Sequence, residues 1–470
     1  MTRAAMAPLH RPALLVYSLL MWLAQPLLRA RLRQRGVAEP GYLVALDQRF
    51  GRYEGDAPPS GDYVWIHAVS LGETRAAAIL IERLREREPN MRLLLTHGTA
   101  TGRAEGAGLL RAGDAQAWQP WDTQGAVQRF LARFRPRIGI LMETEVWPNL
   151  SAACQRAGVP LVLANARLSE KSQRKAQRLG WLSGPAYASL AAVWAQTDAD
   201  AQRLAAVGAT VTGVLGNIKF DATPDAAQLA RGARWRQAWR NATRRPVVMF
   251  ASSRAGEEAG FLKIVEHFKA LALVGIASSA IKSGVIQPGK TLSGENDIQW
   301  LVVPRHPQRV DEVATLIESH GLRVSRRSAW DDGPPIAPGN SGAGDVIWLG
   351  DSLGEMSLYY GLADAALLGG SFEALGGQNL IEAAACGCPV VMGPHTFNFA
   401  EASDLAQVAG AAIRVGDMPQ GAATAQRLVR DDAALLAAQH ACELFLQPHR
   451  GAAERLAAAI VLQLHRTAAA

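Results

Sequence analysis

An α/β protein of two doubly wound halves is the fold class this sequence predicts, and three observations carry it. Short apolar, β-rich runs alternate with helical stretches from residue 61 to 221. A second alternating series starts near residue 246, after an Arg-rich and Trp-containing stretch. The 470 residues are 49% hydrophobic and only 19% charged, enough to bury more than one sizeable core and too apolar for a disordered chain.

Taken in order, the chain opens with an apolar run from Ala13 to Leu28, closed by Arg29, Arg31, Arg33 and Arg35. As a helix it reaches about 24 Å across a hydrocarbon layer about 30 Å thick, which is marginal for a span. A short signal-anchor and an interfacial helix are the two readings. A cleaved secretory signal is disfavoured, because the arginines follow the apolar run and no small-x-small pattern precedes them. Residues 1–35 are therefore expected as a membrane anchor segment, with residues 36–470 on the cytoplasmic face. The arginines would add about 1 kcal/mol each on anionic lipid, and removal of the segment should weaken attachment and spare activity.

Strands of the first half are expected at Tyr63–Val69, Arg92–Thr96, Ile138–Met142, Leu161–Ala164, Val193–Ala195 and Thr210–Val214. Those of the second half are expected at Val247–Ala251, Trp300–Val303, Val346–Leu349, Ala365–Leu368 and Val390–Met392. Each is a short aliphatic or aromatic run bounded by turn formers, the pattern of a strand covered on both faces. The expected domains are thus 36–221 and 246–421, joined by a connection at 222–245, and two such halves imply a cleft between them. The Ala- and Leu-rich tail, 422–470, is expected to be helical and to pack along both halves.

A net charge of +7 suits an anionic partner. The basic residues lack the interleaved aromatics of a nucleic-acid path, so phosphorylated substrates or a membrane surface are expected and no nucleic acid. Cys154, Cys386, Cys388 and Cys442 are too few and scattered for a disulfide framework, and no Cys/His spacing resembles a metal site, so neither metal nor cofactor is expected. Cys386-Gly387-Cys388 reads as small buried thiols.

Three motifs are decoys. Gly284-Val285-Ile286-Gln287-Pro288-Gly289-Lys290-Thr291, inside an apparent insertion at 271–298, has the letters of a phosphate-binding P-loop, but Leu-Ser-Gly-Glu-Asn-Asp after it cannot propagate the required helix. Gly106-Ala107-Gly108 lacks the third glycine of a dinucleotide fingerprint. Asp198-Ala199-Asp200 opens a helix, where acidic residues cap and complement the dipole.

Chemistry points to the strand ends. Trp65-Ile66-His67-Ala68-Val69-Ser70-Leu71-Gly72-Glu73-Thr74-Arg75 runs from a core strand through a turn into a helix, putting the Glu73 carboxylate at a helix mouth where open α/β sheets bind ligands. Glu73 is the candidate catalytic base; the alternative is a dipole-complementing carboxylate worth about 0.3–1 kcal/mol. Glu143-Thr144-Glu145-Val146-Trp147-Pro148, Asn165-Ala166-Arg167-Leu168-Ser169 and Asn217-Ile218-Lys219-Phe220-Asp221 also follow strands. In the second half Pro304-Arg305-His306-Pro307, Asp351-Ser352-Leu353-Gly354-Glu355 and the loop Gly369-Gly370-Ser371 to Gly376-Gly377-Gln378-Asn379 do the same. Glycines admit a ligand to the backbone, free N–H groups at the helix beginning Leu380-Ile381-Glu382 suit a phosphate, and Arg305 offers a fork-shaped donor. Glu382 could accept from ribose hydroxyls. Three such junctions on one sheet edge point to a nucleotide.

Together these motifs, with Met142 to Asn149, Gly216 to Asp221 and Gly393-Pro394-His395-Thr396-Phe397-Asn398-Phe399, closely resemble the Kdo transferase family of lipopolysaccharide synthesis, collinearly over nearly the whole chain. The resemblance implies a GT-B fold, two Rossmann-like doubly wound domains facing a central cleft, with the apolar anchor helix in front. It implies inverting, metal-independent transfer of Kdo (3-deoxy-D-manno-octulosonic acid) from CMP-Kdo to a lipid A precursor such as lipid IVA. By position Glu73 resembles the general base, and Glu143 and Lys219 the transition-state stabilisers. Arg305, His306, Leu353, Gly354, Glu355, Asn379, Leu380, Ile381 and Glu382 resemble the CMP-contacting set. Arg254-Ala255 departs from the Thr-His pair that relatives often carry, which bears on donor contacts. Two other readings stand beside it: a GT-B transferase using another sugar nucleotide and lipid, and a non-catalytic, membrane-attached nucleotide-binding module.

Overall fold

The computed structural model describes residues 10–55, 61–283, 298–335 and 346–468. The chain divides into two compact units, Met1–Asp221 with His449–Ala470, and Ala222–Pro448.

In the first unit seven parallel strands, β1 (Tyr63–His67), β2 (Arg92–His97), β3 (Ala115–Trp118), β4 (Pro136–Met142), β5 (Leu161–Ala166), β6 (Ala192–Ala195) and β7 (Gly213–Val214), form one sheet in the order β3-β2-β1-β4-β5-β6-β7. Alternation along β1 sends Val64 and Ile66 into one apolar layer and Tyr63 and Trp65 into the other. Both faces are helix-covered, which is why these strands read as continuous apolar runs. The six expected strands are present, and β3 is additional. Its sequence, Ala-Gln-Ala-Trp, carries no β-branched residue.

The helix Leu71–Arg87 buries Ala76, Ala77, Leu80, Ile81 and Leu84 against this sheet. Beside it lies the C-terminal helix Ala452–Ala468, contributing Ala453, Leu456, Ala457, Ile460 and Leu464 at i, i+3/i+4 spacing. Asp221 fixes the return of that helix: its carboxylate accepts from Gly451 N at 2.5 Å and Ala453 N at 2.6 Å. The tail is thus shared between the two units, with this last helix in the first. Helices Met418–Arg430 and Asp432–Leu446 stay in the second unit.

Residues 10–38 form two helices, His10–Leu23 and Gln25–Ala38, bent by 47° where Pro26 opens the second. Among the described residues no single helix is long and apolar enough to cross a membrane, and this bent pair passes only when counted together. Leu15, Leu19, Leu20, Trp22 and Leu27 are exposed. The segment is not a detached anchor, however. Its first helix packs on helices Pro148–Ala157 and Gly180–Ala188. Ser18 Oγ donates to Asn149 Oδ1 at 2.8 Å, Tyr17 donates to the buried Asp122, and Leu32 and Gly36 are buried.

The second unit holds β8 (Val247–Ser253), β9 (Gln299–Pro304), β10 (Arg323–Arg326), β11 (Val346–Leu349), β12 (Ala365–Leu368), β13 (Val390–Met392) and β14 (Ala412–Arg414), parallel and ordered β10-β11-β9-β8-β12-β13-β14. The five expected strands are its interior; β10 and β14 are the edges. Residues 222–245, expected as a connection, are mostly the helix Ala226–Thr243, capped by Asp225 and integral to this unit. Its tryptophans are core: Trp239 packs edge-on against Trp348 with centroids 4.7 Å apart. Gly232 lets it approach the helix Met356–Leu362 closely, since a Cβ there would lie 2.2 Å from Leu358 O. The first part of the expected insertion extends the helix Glu257–Ser283, and the Gly284–Thr291 motif lies outside the described residues.

Candidate functional site

The order of the first sheet reverses between β1 and β4, the switch point where doubly wound sheets bind ligands at their C-terminal edge. Glu73 follows β1, Glu143 ends β4, and Asn165 to Arg167 end the neighbouring β5.

Ser70 and Glu73 form a reciprocal capping box. Ser70 Oγ accepts from Glu73 N at 3.4 Å, while Glu73 Oε2 accepts from Val69 N at 2.9 Å and Glu73 Oε1 from Ser70 Oγ at 3.0 Å. The carboxylate thus serves the helix start, the alternative role open to it, and its proton affinity is also raised. Partial burial, then the Glu143 charge, lift its pKa to about 7 against the pull of the Val69 and Ser70 hydrogen bonds. A carboxylate titrating near neutrality is matched to taking a proton from a hydroxyl.

Glu143 is 2% exposed and clasped by two cations: Lys219 Nζ donates to Oε1 at 2.6 Å and Arg167 Nε to Oε2 at 2.6 Å. Burial alone would raise its pKa, but Lys219 and then Arg167 hold it below the ordinary carboxylate range. Glu143 and Asn165 both have left-handed backbones, with φ of 61° and 51°. Such strain persists only where surroundings over-determine it. Here Glu143 N donates to Ala164 O at 3.0 Å, Arg167 N to Glu143 O at 3.1 Å, and Ile218 N to Asn165 Oδ1 at 3.1 Å. That last bond seats the turn Ile218–Asp221 carrying Lys219. Glu73, Glu143 and Lys219 are thereby one constellation. Arg167 belongs to it and was missed as a site residue, though its place after β5, adjacent to β4, was the available signal.

In the second unit Arg305 and His306 follow β9, Leu353 to Glu355 follow β11, and Asn379 to Glu382 follow β12. Arg305 and Glu382 both act on the hydroxyl of buried Tyr360, whose pKa is raised chiefly by burial, then by Glu382, and lowered by Arg305. Glu355 instead pairs with Arg327 at 3.1 Å and accepts from Ser352. Gly354 has φ 84° and accepts from Gln228 Nε2 at 3.1 Å; Leu353 is exposed. Asn379 caps the short helix Leu380–Ala385 by accepting from Ile381 N at 3.2 Å, and Leu380 and Ile381 are buried. That donor is taken, as are those of the first glycine loop. Glu257 accepts from Gly370 N at 2.7 Å, Phe372 N at 3.2 Å and Arg254 N at 3.1 Å. The turn Gly369–Ser371 is thus fastened to an internal carboxylate through Gly370 N and the adjoining Phe372 N.

Thr197 Oγ1 accepts from Asp200 N at 3.0 Å, so Asp198-Ala199-Asp200 is a capped first turn, while burial pushes the Cys386 thiol up to about 12. Among the described residues no group of three or more His, Cys, Asp or Glu side chains is placed to hold a metal ion.

Comparison with known proteins follows the same contours. Residues 45–222 match the family model described as 3-deoxy-D-manno-octulosonic-acid transferase. The chain is 46% identical over 415 residues to a 3-deoxy-D-manno-octulosonic acid transferase of Bordetella pertussis, covering 87% of this chain and 89% of the relative. It is 29% identical over 449 residues to the transferase of the same description from Haemophilus influenzae, covering 94% and 96%. A glycosyltransferase structure from Rickettsia africae matches 87% of this chain and 99% of its own with a TM-score of 0.50 at 12% identity, a likeness of fold.

Proposed function

The chain belongs to the 3-deoxy-D-manno-octulosonic acid (Kdo) transferase family, a glycosyltransferase of GT-B fold acting in lipopolysaccharide synthesis, and we propose that it moves Kdo from CMP-Kdo to a lipid A precursor with inversion and without a metal. The observation that carries the reading is the half-buried Glu73, held at the β1 end with its pKa near 7 beside a Glu143 that Lys219 and Arg167 keep ionised.

In this reaction Glu73 takes the proton of the acceptor hydroxyl as its oxygen bonds to the anomeric carbon of Kdo. The bond from that carbon to the phosphate oxygen breaks, and CMP leaves with the electron pair. Positive charge develops on the sugar ring and negative charge on the phosphate. Arg305 meets the latter, while Lys219 and Glu143 supply a fixed, opposite-charged pair that needs no reorganisation as charge shifts. The proton transfer contributes about 10²–10⁴ in rate. His306, Leu353, Gly354, Glu355, Asn379, Leu380, Ile381 and Glu382 line the CMP side of this proposal, several of them by shaping loops rather than by free donors. Attachment to the cytoplasmic face of the inner membrane is part of the proposal, supported by exposed Leu15, Leu19, Leu20, Trp22 and Leu27 beside Arg29, Arg31 and Arg33.

Purified protein incubated with the lipid acceptor and either CMP-Kdo or a UDP-sugar, with products read by mass spectrometry, tests this. Kdo-bearing lipid from CMP-Kdo alone is expected. Transfer from a UDP-sugar instead, or full function of Glu73→Gln, overturns it in favour of another transferase or a non-catalytic binding module.

A further inference from the structure

Away from the Glu143 cluster, the first unit gathers three guanidiniums on two aromatic rings. Tyr42 and Trp118 stack with centroids 6.3 Å apart and planes 11° apart. Arg49 lies 3.8 Å from the Trp118 centroid, Arg103 lies 4.9 Å from the same ring, and Arg35 lies 4.7 Å from that of Tyr42. The rings offer cation–π attraction to each, but none supplies a negative charge. Nearby carboxylates are engaged elsewhere: Asp47 pairs with Arg29 at 3.0 Å and Glu105 with Arg75 at 3.0 Å. Among the described residues Arg35, Arg49 and Arg103 form no ion pair. Arg49 is 4% exposed, and its buried Nε has no hydrogen-bond partner. A buried guanidinium without a counter-ion is costly, and like charges beside it add to the cost. Burial and then the neighbouring Arg103 and Arg35 accordingly pull its pKa down to about 10, against the opposing effect of Tyr42.

The cluster is tied to the base. Arg49 Nη2 donates to Gly98 O at 2.9 Å, Gly98 N donates to Val69 O at 3.0 Å, and Val69 N donates to Glu73 Oε2 at 2.9 Å. β2, which ends at His97 just before Gly98, is the neighbour of β1, and β3, which ends at Trp118, is the next strand along the same sheet. We propose that Arg35, Arg49 and Arg103 form an oxyanion subsite that takes a phosphate monoester carried by the acceptor, anchoring the acceptor while its hydroxyl reaches Glu73. This deepens the transferase reading and rests on it. Arg49 supplies fixed charge from within, and the more accessible Arg35 and Arg103 supply donors that make charge-assisted bonds.

The double variant Arg35→Gln, Arg103→Gln tests it, leaving buried Arg49 in place so that the fold is kept. With phosphorylated acceptor its KM should rise at least about tenfold, one strong contact, while kcat and the KM for CMP-Kdo hold. With the same acceptor after phosphatase treatment, variant and wild type should have equal KM. In parallel, 31P line broadening of inorganic phosphate should be weaker with the variant than with wild type. Equal KM increases for both acceptors, or undiminished 31P broadening, overturn the subsite. Lost binding to anionic phospholipid vesicles with unchanged acceptor KM overturns it in favour of a lipid-headgroup contact. If wild type moves nothing from CMP-Kdo, the transferase reading fails by itself and the 31P comparison still decides the subsite.

Discussion

The Glu143 carboxylate adds to the rise that burial gives the proton affinity of Glu73, while its own charge is pinned by Lys219 and Arg167, each at 2.6 Å. One acid is thus kept ionised while its half-buried neighbour titrates at about 7, as the proposed base requires. This division of two carboxylates into fixed charge and proton acceptor comes from environment alone.

The first consequence is a pH profile. Glu73 must be ionised to accept a proton, so kcat/KM should climb as pH rises through about 7. Glu73→Gln should lose about 10²–10⁴ in rate and show no such limb. Stability runs oppositely: a carboxyl with raised folded pKa contributes stability that is present at low pH and lost as pH rises through about 7. The melting temperature of wild type should therefore fall relative to that of Glu73→Gln between pH 5 and 8. A rate profile flat across pH 6–8 would assign the proton to another group.

Removing the neighbouring charge separates the two carboxylates. Glu143→Gln should shift the kinetic limb to lower pH, because the repulsion that raises Glu73 is gone. It also leaves Lys219, 18% exposed, and Arg167, 46% exposed, without their anion. Breaking a buried pair costs about 3–5 kcal/mol, and the exposure of Arg167 puts the expected loss at the lower end. Denaturant unfolding and the pH profile measured on one preparation check both; an unmoved limb would mean the carboxylates do not sense each other.

The interior strands were legible because burial on both faces makes them unbroken apolar runs, as Val64–Ile66 and Val248–Phe250 show. Edge strands β3 and β10 were not, since Ala-Gln-Ala-Trp and Arg-Val-Ser-Arg carry no such run. Glu73, Glu143 and Lys219 stood out as polar groups at strand ends. Arg167 did not, because its partner is 24 residues away in sequence and only β4–β5 pairing brings it near. The destination of the last helix was equally hidden: an amphipathic stripe does not say which sheet it covers, and the deciding cap is Asp221, 230 residues before Gly451.

The N-terminal helices give a third prediction. Asp122 accepts from Asn149 N at 3.0 Å and Leu150 N at 2.8 Å, capping the helix that follows the Glu143 loop, and Tyr17 donates to the same carboxylate. Tyr17→Phe should cost about 1.5–3 kcal/mol, the range for a hydrogen bond to a charged group. Removing residues 1–35 should lower the melting temperature and reduce transfer even to detergent-dispersed acceptor, contrary to a separable anchor. A truncated protein with wild-type melting and transfer would restore the anchor as an independent segment.

The last prediction concerns the second unit. Gly370, Phe372 and Arg254 give their backbone N–H groups to Glu257, which is 2% exposed. Glu257→Gln replaces one acceptor oxygen by an NH₂ group that faces donors. At about 1–3 kcal/mol per stranded buried group, the variant should lose several kcal/mol of stability. Arg305→Gln, by contrast, should melt as wild type and bind CMP more weakly. Thermal melting with calorimetric titration of CMP distinguishes the two roles: if Glu257→Gln melts normally and loses only nucleotide affinity, that carboxylate organises the ligand rather than the turn.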